Sequence, residues 1–408
     1  MSRIEELVER LCPEGVEYRA LGEVGEIRSG LSGKSKDDFL EGNDRYLPYT
    51  SVFNNIAVDF GDALPVRLAD GERRNALRRG DVVFTASSET SLEAGMTSVV
   101  TQNPEYACYL NSFCFIYRPN SDLMLLPDFS KCLFRSGEMR RQITRCANGV
   151  TRFNMSKASL LKIRIPVPPM AVQEEIVRVL DSFAELEAEL EAELEARRRQ
   201  YAHYRDQLLD FTEREDVPWL TLGEVAGYVR TRVPASSLKP GSYVGVNELL
   251  PDYRGRSDEV RLPAEESCIA FEPCDILLGN IRPYLKKLWL ADSPGGTNGD
   301  VLVIRVNDPG IVSPAFLREV LMGEGFTSYN VQKSRGAKMP RGDKKAILQY
   351  RIPIPSLAEQ QRIVGILDEF DALTTSLTDG LPAEIEARRK QYAYWRDKLL
   401  AFPEKPAA

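Results

Sequence analysis

The sequence predicts an α+β protein with two globular domains separated by a long antiparallel two-helix coiled coil, the whole arranged as an internal pseudo-twofold duplication. Three observations lead to this fold class. Two β-rich regions alternate with two segments of helical periodicity, ordered sequence matches flank both regions, and the matched helices share one apolar stripe. A length of 408 residues with 43% hydrophobic residues is typical of two or three domains.

The duplication is visible as matched segments that occur in the same order in both halves. The matched pairs are 164–168 (RIPVP) with 351–355 (RIPIP), 173–183 with 360–370, 195–211 with 386–402, and 217–226 with 16–25. The regions between them, about 16–165 and 217–352, carry short β-rich runs punctuated by Gly and Pro and resemble each other little. Similar frames therefore hold dissimilar inserts.

Four domains follow from this order. The predicted boundaries are 1–165 (an N-terminal helix piece and the first β-rich domain), 166–212 (a central helix), 213–352 (the second β-rich domain) and 353–408 (a C-terminal helix). The first eleven residues stand where 204–211 stands before the second domain. The N-terminus therefore resembles the tail of a helix whose body is C-terminal.

The long helices show helical spacing and start signals. Ser356 and Glu359 form a capping-box pattern after Pro355, and Gly380 and Pro382 predict an interruption of the second helix. The stripe at helical spacing predicts helix–helix core and partner contacts. Its members are Ile176, Leu180, Phe183, Leu186, Leu190, Leu194, Tyr201, Tyr204, Ile363, Leu367, Phe370, Tyr392 and Trp395.

The composition excludes several classes of enzyme. A single histidine, His203, excludes most zinc sites and most catalytic triads, and seven cysteines without a Cys-x-x-Cys motif indicate reduced thiols. Residues 28–35 (RSGLSGKS) lack the first glycine of a phosphate loop. No apolar run approaches the ~20 residues of a membrane helix, and the start is polar, so a cytoplasmic protein without a membrane partner is expected.

The paired motifs resemble the specificity subunit of type I restriction-modification enzymes, and the resemblance spans nearly the whole chain. It implies a non-catalytic subunit whose two β-rich regions are target recognition domains, each reading one half of a bipartite site in double-stranded DNA. It further implies that the helices bind two methyltransferase subunits, and that restriction subunits complete the nuclease. No cofactor of its own is expected, because S-adenosylmethionine belongs to the methyltransferase subunit.

Local charge agrees with a DNA-binding role. Residues 135–164 hold eight basic side chains against Glu138, and 326–351 hold seven against Asp343, although the net charge is −7. The segments 148–154 and 335–341 align, which matches Asn154 with Arg341. The candidate DNA-binding residues are Arg73, Arg74, Arg78, Arg79, Ser87, Ser88, Thr90, Arg145, Arg152, Asn154, Lys157, Asn280, Arg282, Tyr284, Lys286, Lys287, Arg335, Lys338, Arg341 and Lys344.

The tetrapeptide Ala-Glu-Leu-Glu is repeated three times in 184–195. One unit of helix advances ~6 Å and turns the following segment by ~40°, which is comparable with one or two base pairs of B-DNA. We therefore hypothesise that the repeat helps to set the gap between the half-sites; the alternative is length drift on a tolerant, solvated helix.

Two other functions remain open on the sequence alone. A fused methyltransferase or endonuclease is disfavoured because the chain has neither the adenine-methylation motifs nor spare length for a catalytic domain. A coiled-coil adaptor without DNA binding is disfavoured by the basic segments.

Overall fold

The computed structural model describes residues 3–69, 72, 75–121, 123–257, 260, 261, 263, 265–375 and 380–406. The chain forms two compact units. Unit 1 comprises Met1–Ala188 with Glu386–Ala408, and unit 2 comprises Glu189–Ile385.

The elements up to the long central helix alternate short strands with short helices. The strands are β1 (Tyr18–Ala20), β2 (Gly25–Ser29), β3 (Asp44–Leu47), β4 (Leu64–Val66), β5 (Val82–Thr85), β6 (Ser87–Ser88), β7 (Thr97–Val99), β8 (Cys108–Leu110), β9 (Cys114–Pro119), β10 (Ala147–Asn148), β11 (Phe153–Met155) and β12 (Arg164–Pro166). The helices are α1 (Arg3–Leu11), α2 (Leu21–Val24), α3 (Tyr49–Asn54), α4 (Pro127–Arg135), α5 (Gly137–Thr144), α6 (Lys157–Leu160) and α7 (Met170–Leu208).

The remaining elements repeat this alternation. The strands are β13 (Trp219–Thr221), β14 (Ala226–Tyr228), β15 (Arg232–Pro234), β16 (Ser267–Phe271), β17 (Ile276–Gly279), β18 (Leu288–Leu290), β19 (Gly295–Thr297), β20 (Val301–Val306) and β21 (Arg351–Pro353). The helices are α8 (Leu222–Val225), α9 (Pro314–Met322), α10 (Glu324–Lys333), α11 (Lys344–Leu348), α12 (Leu357–Thr375) and α13 (Leu381–Leu399).

The repeated frame motifs form the same structure in both units. The Arg-Ile-Pro strands pair antiparallel with the strand before each Leu-Gly-Glu-Val segment, β12 with β1 and β21 with β13. Each Leu-Gly-Glu-Val segment is one helical turn, because the Glu carboxylate accepts the backbone N–H that precedes the turn: Ala20 donates to Glu23 (3.1 Å) and Thr221 to Glu224 (2.6 Å). The motif is therefore a helix start that anchors each domain.

The two inserts resemble each other little in sequence, but each contains a four-stranded sheet with the same strand arrangement. In unit 1 the antiparallel strand order is β2-β9-β5-β7, and in unit 2 it is β14-β20-β17-β18. Apolar side chains on β5 and β9, and on β17 and β20, lie in the cores. The duplication therefore extends through the variable regions at the level of the fold.

An ion pair with a buried Asp accompanies this sheet in each unit. Arg118 on β9 donates to both carboxylate oxygens of Asp81 (2.7 and 2.6 Å), and Arg305 on β20 does the same to Asp275 (2.7 and 2.7 Å). Each Asp also accepts a backbone N–H three residues earlier in the chain, from Arg78 and from Glu272. The side chains of Asp81 and Arg118 are only 1% and 12% exposed, whereas Arg305 is 42% exposed.

Replacing Asp81 with Ala is expected to destabilise unit 1 by about 3–5 kcal/mol, because Arg118 would be left buried without its partner. Asp275→Ala is expected to cost less, since water reaches Arg305. Hydrogen exchange of the β5 and β9 amides in the Asp81→Ala variant, and of the β17 and β20 amides in the Asp275→Ala variant, measures the two losses of stability. Equal losses of protection in the two units would contradict the argument from exposure.

The helix after each Arg-Ile-Pro strand is joined to its domain by a buried glutamine. Gln173 accepts the backbone N–H of Leu126 (2.8 Å), and Gln360 accepts that of Ser313 (2.8 Å). Their amide groups donate to the carbonyls of Pro168 and Pro355. Both glutamines are fully buried, so their retention in the repeated motif reflects a satisfied polar junction between the helix and α4 or α9.

The long helices pair antiparallel within each unit. In unit 1 residues 170–188 of α7 pack against α13, with Arg389 bonded to Glu187 (2.7 Å) and Ile176 in the same core cluster as Leu400. In unit 2 the C-terminal half of α7 packs against α12, where the Tyr201 and Tyr204 rings lie 6.5 and 5.6 Å from Phe370.

Most of the predicted stripe lies in these contacts. Ile176, Leu180, Ile363 and Leu367 are fully buried, so they form the helix core and are closed to an external partner. The remaining members that are buried or half-buried are Phe183, Leu190, Leu194, Tyr201, Phe370, Tyr392 and Trp395. Tyr204 is partly exposed but contacts Phe370. The interruption predicted by Gly380 and Pro382 separates α12 from α13; residues 376–379 of that segment lie outside the described part of the chain.

Leu186 departs from the prediction, since its side chain is 46% exposed. A four-residue step exceeds one helical turn by ~40°. The leucines of the tetrapeptide repeat therefore rotate around the helix, and burial increases along it: Leu186 is exposed, Leu190 half-buried and Leu194 buried. The leucines of the repeat therefore do not form one continuous apolar face of the helix.

Candidate nucleic-acid interface

Two segments of unit 1 that are distant in sequence meet in a small antiparallel sheet. Strand β11 pairs with β10 through Asn148 and Asn154, and with β6 through Asn154 and Ser87. We call residues 147–155 hairpin 1. Gly149 has a φ of +140°, and a Cβ there would lie 2.0 Å from the carbonyl oxygen of Arg152, so the turn requires glycine.

Unit 2 contains the same arrangement in residues 335–341, which we call hairpin 2. Arg335 and Arg341 donate their backbone N–H groups to each other's carbonyl (2.9 Å each), and Arg341 also forms a bridge with Ile281. Gly336 has a φ of +107°. Arg341 thus occupies in hairpin 2 the register position of Asn154 in hairpin 1.

Hairpin 1 and the residues beside it carry polar and cationic side chains, most of which are exposed. Arg152 donates to the Ser87 hydroxyl (3.0 and 3.1 Å) and lies over the Phe113 ring (5.6 Å). Lys157 donates to the Ser29 hydroxyl (3.2 Å). Asn154 and Arg145 are exposed. The neighbouring Thr90 donates to Glu93 (2.6 Å).

Hairpin 2 carries cations whose ion pairs are exposed to solvent. The Arg335 side chain is 84% exposed and lies 2.9 Å from Asp343, and Arg341 contacts Asp300 (2.8 Å) with its side chain 59% exposed. Lys338 and Lys344 are exposed as well. Exposed ion pairs contribute little energy, so these cations can exchange their carboxylates for phosphates.

The segment 279–287 packs beside hairpin 2. Arg282 donates its backbone N–H to Pro340 (2.7 Å) and is exposed, as is Tyr284. Arg282 itself has a φ of +51°, which is unusual for a residue with a side chain and fixes the turn sharply beside hairpin 2. The structure therefore brings together two segments that were predicted separately.

Several predicted contact residues have structural roles instead. Ser87 and Ser88 are buried, and Ser87 serves Arg152. Asn280 is also buried, with its carbonyl beside Gly342. Lys287 turns inward and donates to the Val246 carbonyl (2.7 Å); burial lowers the pKa of its ammonium.

Two further cations in the basic segment of unit 1 are occupied by the fold. Arg135 donates to the carbonyls of Thr97 (2.6 Å) and Phe53 (3.0 Å), and burial lowers its pKa to about 10. Arg140 donates to the carbonyls of Gly95 (2.6 Å) and Ala94 (2.8 Å). The charge excess counted in the sequence therefore overstates what faces solvent.

The remaining candidates lie apart from the hairpins or in other contacts. Arg78 and Arg79 are exposed and precede β5, whereas β6, which pairs with hairpin 1, follows β5. An extended chain from Arg79 to β6 spans ~25 Å. Arg73 and Arg74 lie outside the described residues. Lys286 is half-buried and pairs with Glu324 (2.9 Å).

The described residues meet the requirements of neither a metal site nor a membrane-spanning helix. No group of three or more His, Cys, Asp or Glu side chains that could hold a metal is present among them. None of the helices in that part of the chain combines the length and apolar character needed to cross a bilayer.

Comparison with known families decides the class. The family described as "Type I restriction modification DNA specificity domain" matches residues 13–196 and 275–387. The chain belongs to this family. The expected specificity subunit of type I restriction-modification enzymes is thereby confirmed.

Individual specificity subunits are similar over large parts of the chain. The EcoR124I/EcoR124II specificity subunit of Escherichia coli is 34% identical over 267 residues, which cover 61% of this chain and 65% of that protein, just under two thirds of its length. The EcoprrI specificity subunit of E. coli is 33% identical over 399 residues, which cover 93% of both chains. These relatives are named as specificity subunits, components of an enzyme complex, which agrees with a non-catalytic chain.

A solved structure shows the same fold. A chain from a structure of a type I R-M system, described in terms of complex assembly and conformational transition, superposes with a TM-score of 0.57 at 17% identity. The superposition covers 95% of this chain and 97% of that one. The two-domain α+β fold of this chain is therefore also found in that solved chain.

Proposed function

We propose that this specificity subunit binds double-stranded DNA with a bipartite target and that each unit recognises one half of it. The observation that carries the proposal is the pair of hairpins. Each pairs two residues that are six positions apart, each is bonded to a second segment of its unit, and each carries exposed polar and cationic side chains. A two-stranded ribbon of this kind fits the major groove, and Arg and Lys side chains contact phosphates.

The roles within the interface follow from the contacts. Lys157, Arg335 and Lys338 are long, exposed cations suited to phosphates, which position a protein on DNA without reading it. Arg341 and Asn154 stand at the equivalent central register position of hairpins 2 and 1. Guanine is the usual partner of Arg and adenine that of Asn, so the two units are suited to different bases at this position.

The paired helices supply the second part of the proposal. They set the spacer between the half-sites and dock two methyltransferase subunits that bring S-adenosylmethionine. Restriction subunits complete the nuclease in the cytoplasm. Membership in the specificity family and the exposed acidic face of α7 support this role.

Arg341→Asn tests the recognition role directly. We expect the preferred base at one position of the half-site read by unit 2 to shift from guanine towards adenine, with a discrimination of about 1–3 kcal/mol, because the bidentate partner changes. Selection of bound sequences from a randomised library by the assembled complex measures the shift. The reciprocal Asn154→Arg is the matched control and should alter only the other half-site. Unchanged preferences in both variants would remove this position from base reading.

A further inference from the structure

Unit 2 contains a basic cavity of about 630 Å³ between the second half of α7 and the loops around residues 252 and 286. Five of its lining side chains are cationic: Arg198, Arg199, Arg205, Arg254 and Lys286. Three are acidic, so the lining has an excess of two positive charges. Its volume suits a small ligand or a protruding group of a larger one.

Arg205 is the unusual member of this lining. It is only 6% exposed, and its guanidinium lies between the rings of Tyr201 (5.3 Å) and Tyr253 (5.9 Å). Its Nε atom is buried without a hydrogen-bond partner in the described part of the chain, and the carboxylate of Asp206 is 3.9 Å away. A buried N–H group without a hydrogen bond costs free energy, which a bound anion would recover.

The rings beside Arg205 cannot supply the missing partner. The Tyr201 hydroxyl donates to Glu319 (2.9 Å), and the Tyr253 hydroxyl is bonded to Thr327. Both hydroxyls are therefore engaged elsewhere, while both rings lie within cation–π distance of the guanidinium. Arg205 lines the cavity, and the N–H fork of a guanidinium matches the geometry of an oxyanion.

The equivalent arginine in unit 1 is satisfied internally. Arg396 follows Tyr392 as Arg205 follows Tyr201, and it bonds Asp397 at 2.9 Å. Asp397 in turn accepts the backbone N–H of Gly137 (2.9 Å). The same Arg-Asp pair of the repeated motif is thus hydrogen-bonded in unit 1 (2.9 Å), whereas in unit 2 its two side chains lie 3.9 Å apart. Arg396 provides an internal control for any property of Arg205.

We infer that this cavity binds a phosphate group, held by Arg205 with Arg254 and Lys286 at its border. Phosphate is favoured because the cavity adjoins the candidate DNA interface: the backbone N–H groups of Asp252 and Tyr253 donate to Leu285 (3.0 Å) and Lys286 (2.7 Å), at the end of segment 279–287. The phosphate comes either from the backbone of bound DNA or from a free phosphate-bearing solute. A phosphate from the DNA backbone rests on the proposed function, whereas a phosphate from a free solute does not.

The first experiment tests whether a free phosphate-bearing solute occupies the cavity. Calorimetry measures the binding of inorganic phosphate to the full chain at constant ionic strength, with chloride as the reference anion. Arg205→Met and Arg254→Gln are expected to lower phosphate affinity at least tenfold, whereas Arg396→Met keeps it. Arg254 is exposed, so its variant remains informative if Arg205→Met fails to fold.

The DNA source is tested by the salt dependence of DNA binding in the assembled complex. Loss of one phosphate contact lowers the slope of log K against log salt by about 0.9, so Arg205→Met should show this loss and Arg396→Met should not. A loss in either assay supports the inference. If Arg205→Met and Arg254→Gln match the wild type in both, or weaken only the binding of the methyltransferase subunit, the occupant is not a phosphate and the inference is wrong. Failure of the wild type to bind DNA would contradict the proposed function and leave the phosphate assay decisive.

Discussion

Replacing Arg335, Lys338 and Arg341 together with Gln is expected to weaken DNA binding by the assembled complex roughly 10³-fold, because each lost charged hydrogen bond costs about 1.5 kcal/mol. All three side chains are exposed on hairpin 2. Because Arg335 and Lys338 are proposed to contact one phosphate each and Arg341 a base, the slope of log K against log salt should fall by about 1.8. Titration of labelled DNA at several salt concentrations measures both quantities.

The matched control removes three cations elsewhere. Arg214, Arg362 and Lys390 are exposed, are paired with carboxylates, and lie outside both hairpins. Their replacement by Gln makes the same change in net charge, so a general electrostatic effect would lower both slopes. Binding of the methyltransferase subunit should be unchanged in the hairpin 2 variant. A salt slope equal to that of the wild type would exclude hairpin 2 from the interface.

The frame of the fold was predictable because its signals are local and occur twice. The Arg-Ile-Pro strands, the Leu-Gly-Glu-Val turns and the apolar stripe each depend on short-range periodicity or capping, which a sequence displays directly. The repeated glutamine at 173 and 360 was visible in the same motif. Its role was not, because its partners at Leu126 and Ser313 lie 47 residues away in the chain.

The candidate interface was predictable only in part, for a physical reason. The sequence shows local charge but not whether a side chain faces solvent or bonds to the backbone of its own domain. Arg135 and Arg140 increase the basic count of their segment, yet the fold uses both to bond backbone carbonyls. Lys287 is turned inward in the same way. The shared ion pairs of Asp81 and Asp275 were missed because one Asp before a strand and one Arg near the end of another are too sparse to stand out between divergent inserts.

The leucine pattern along α7 bears on what sets the spacer. Because each Ala-Glu-Leu-Glu unit turns ~40° beyond a full turn, removing one unit changes both the length of the helix and the direction in which the following segment faces. Burial already follows this rotation, from exposed Leu186 to buried Leu194. The repeat is therefore suited to discrete changes of length and angle together.

Deleting residues 188–191 is expected to change the preferred spacer between the half-sites by one or two base pairs. The deletion shortens α7 by ~6 Å and rotates its two segments by ~40°, while one base pair advances about 3.4 Å and turns about 34–36°. We expect affinity for the original spacer to fall roughly 10²-fold, because DNA of the wrong length must be twisted or bent to reach both units. Selection from a library with randomised spacer lengths measures the change.

The control keeps the length and alters only the surface. Glu189→Ala, at an exposed position within the deleted unit, should retain the original spacer. Inserting a further Ala-Glu-Leu-Glu unit should shift the preference in the opposite direction, because length and rotation both change sign. If deletion and insertion variants select the same spacer as the wild type, the repeat is a tolerant solvated stretch, and the gap between half-sites is determined elsewhere in the complex.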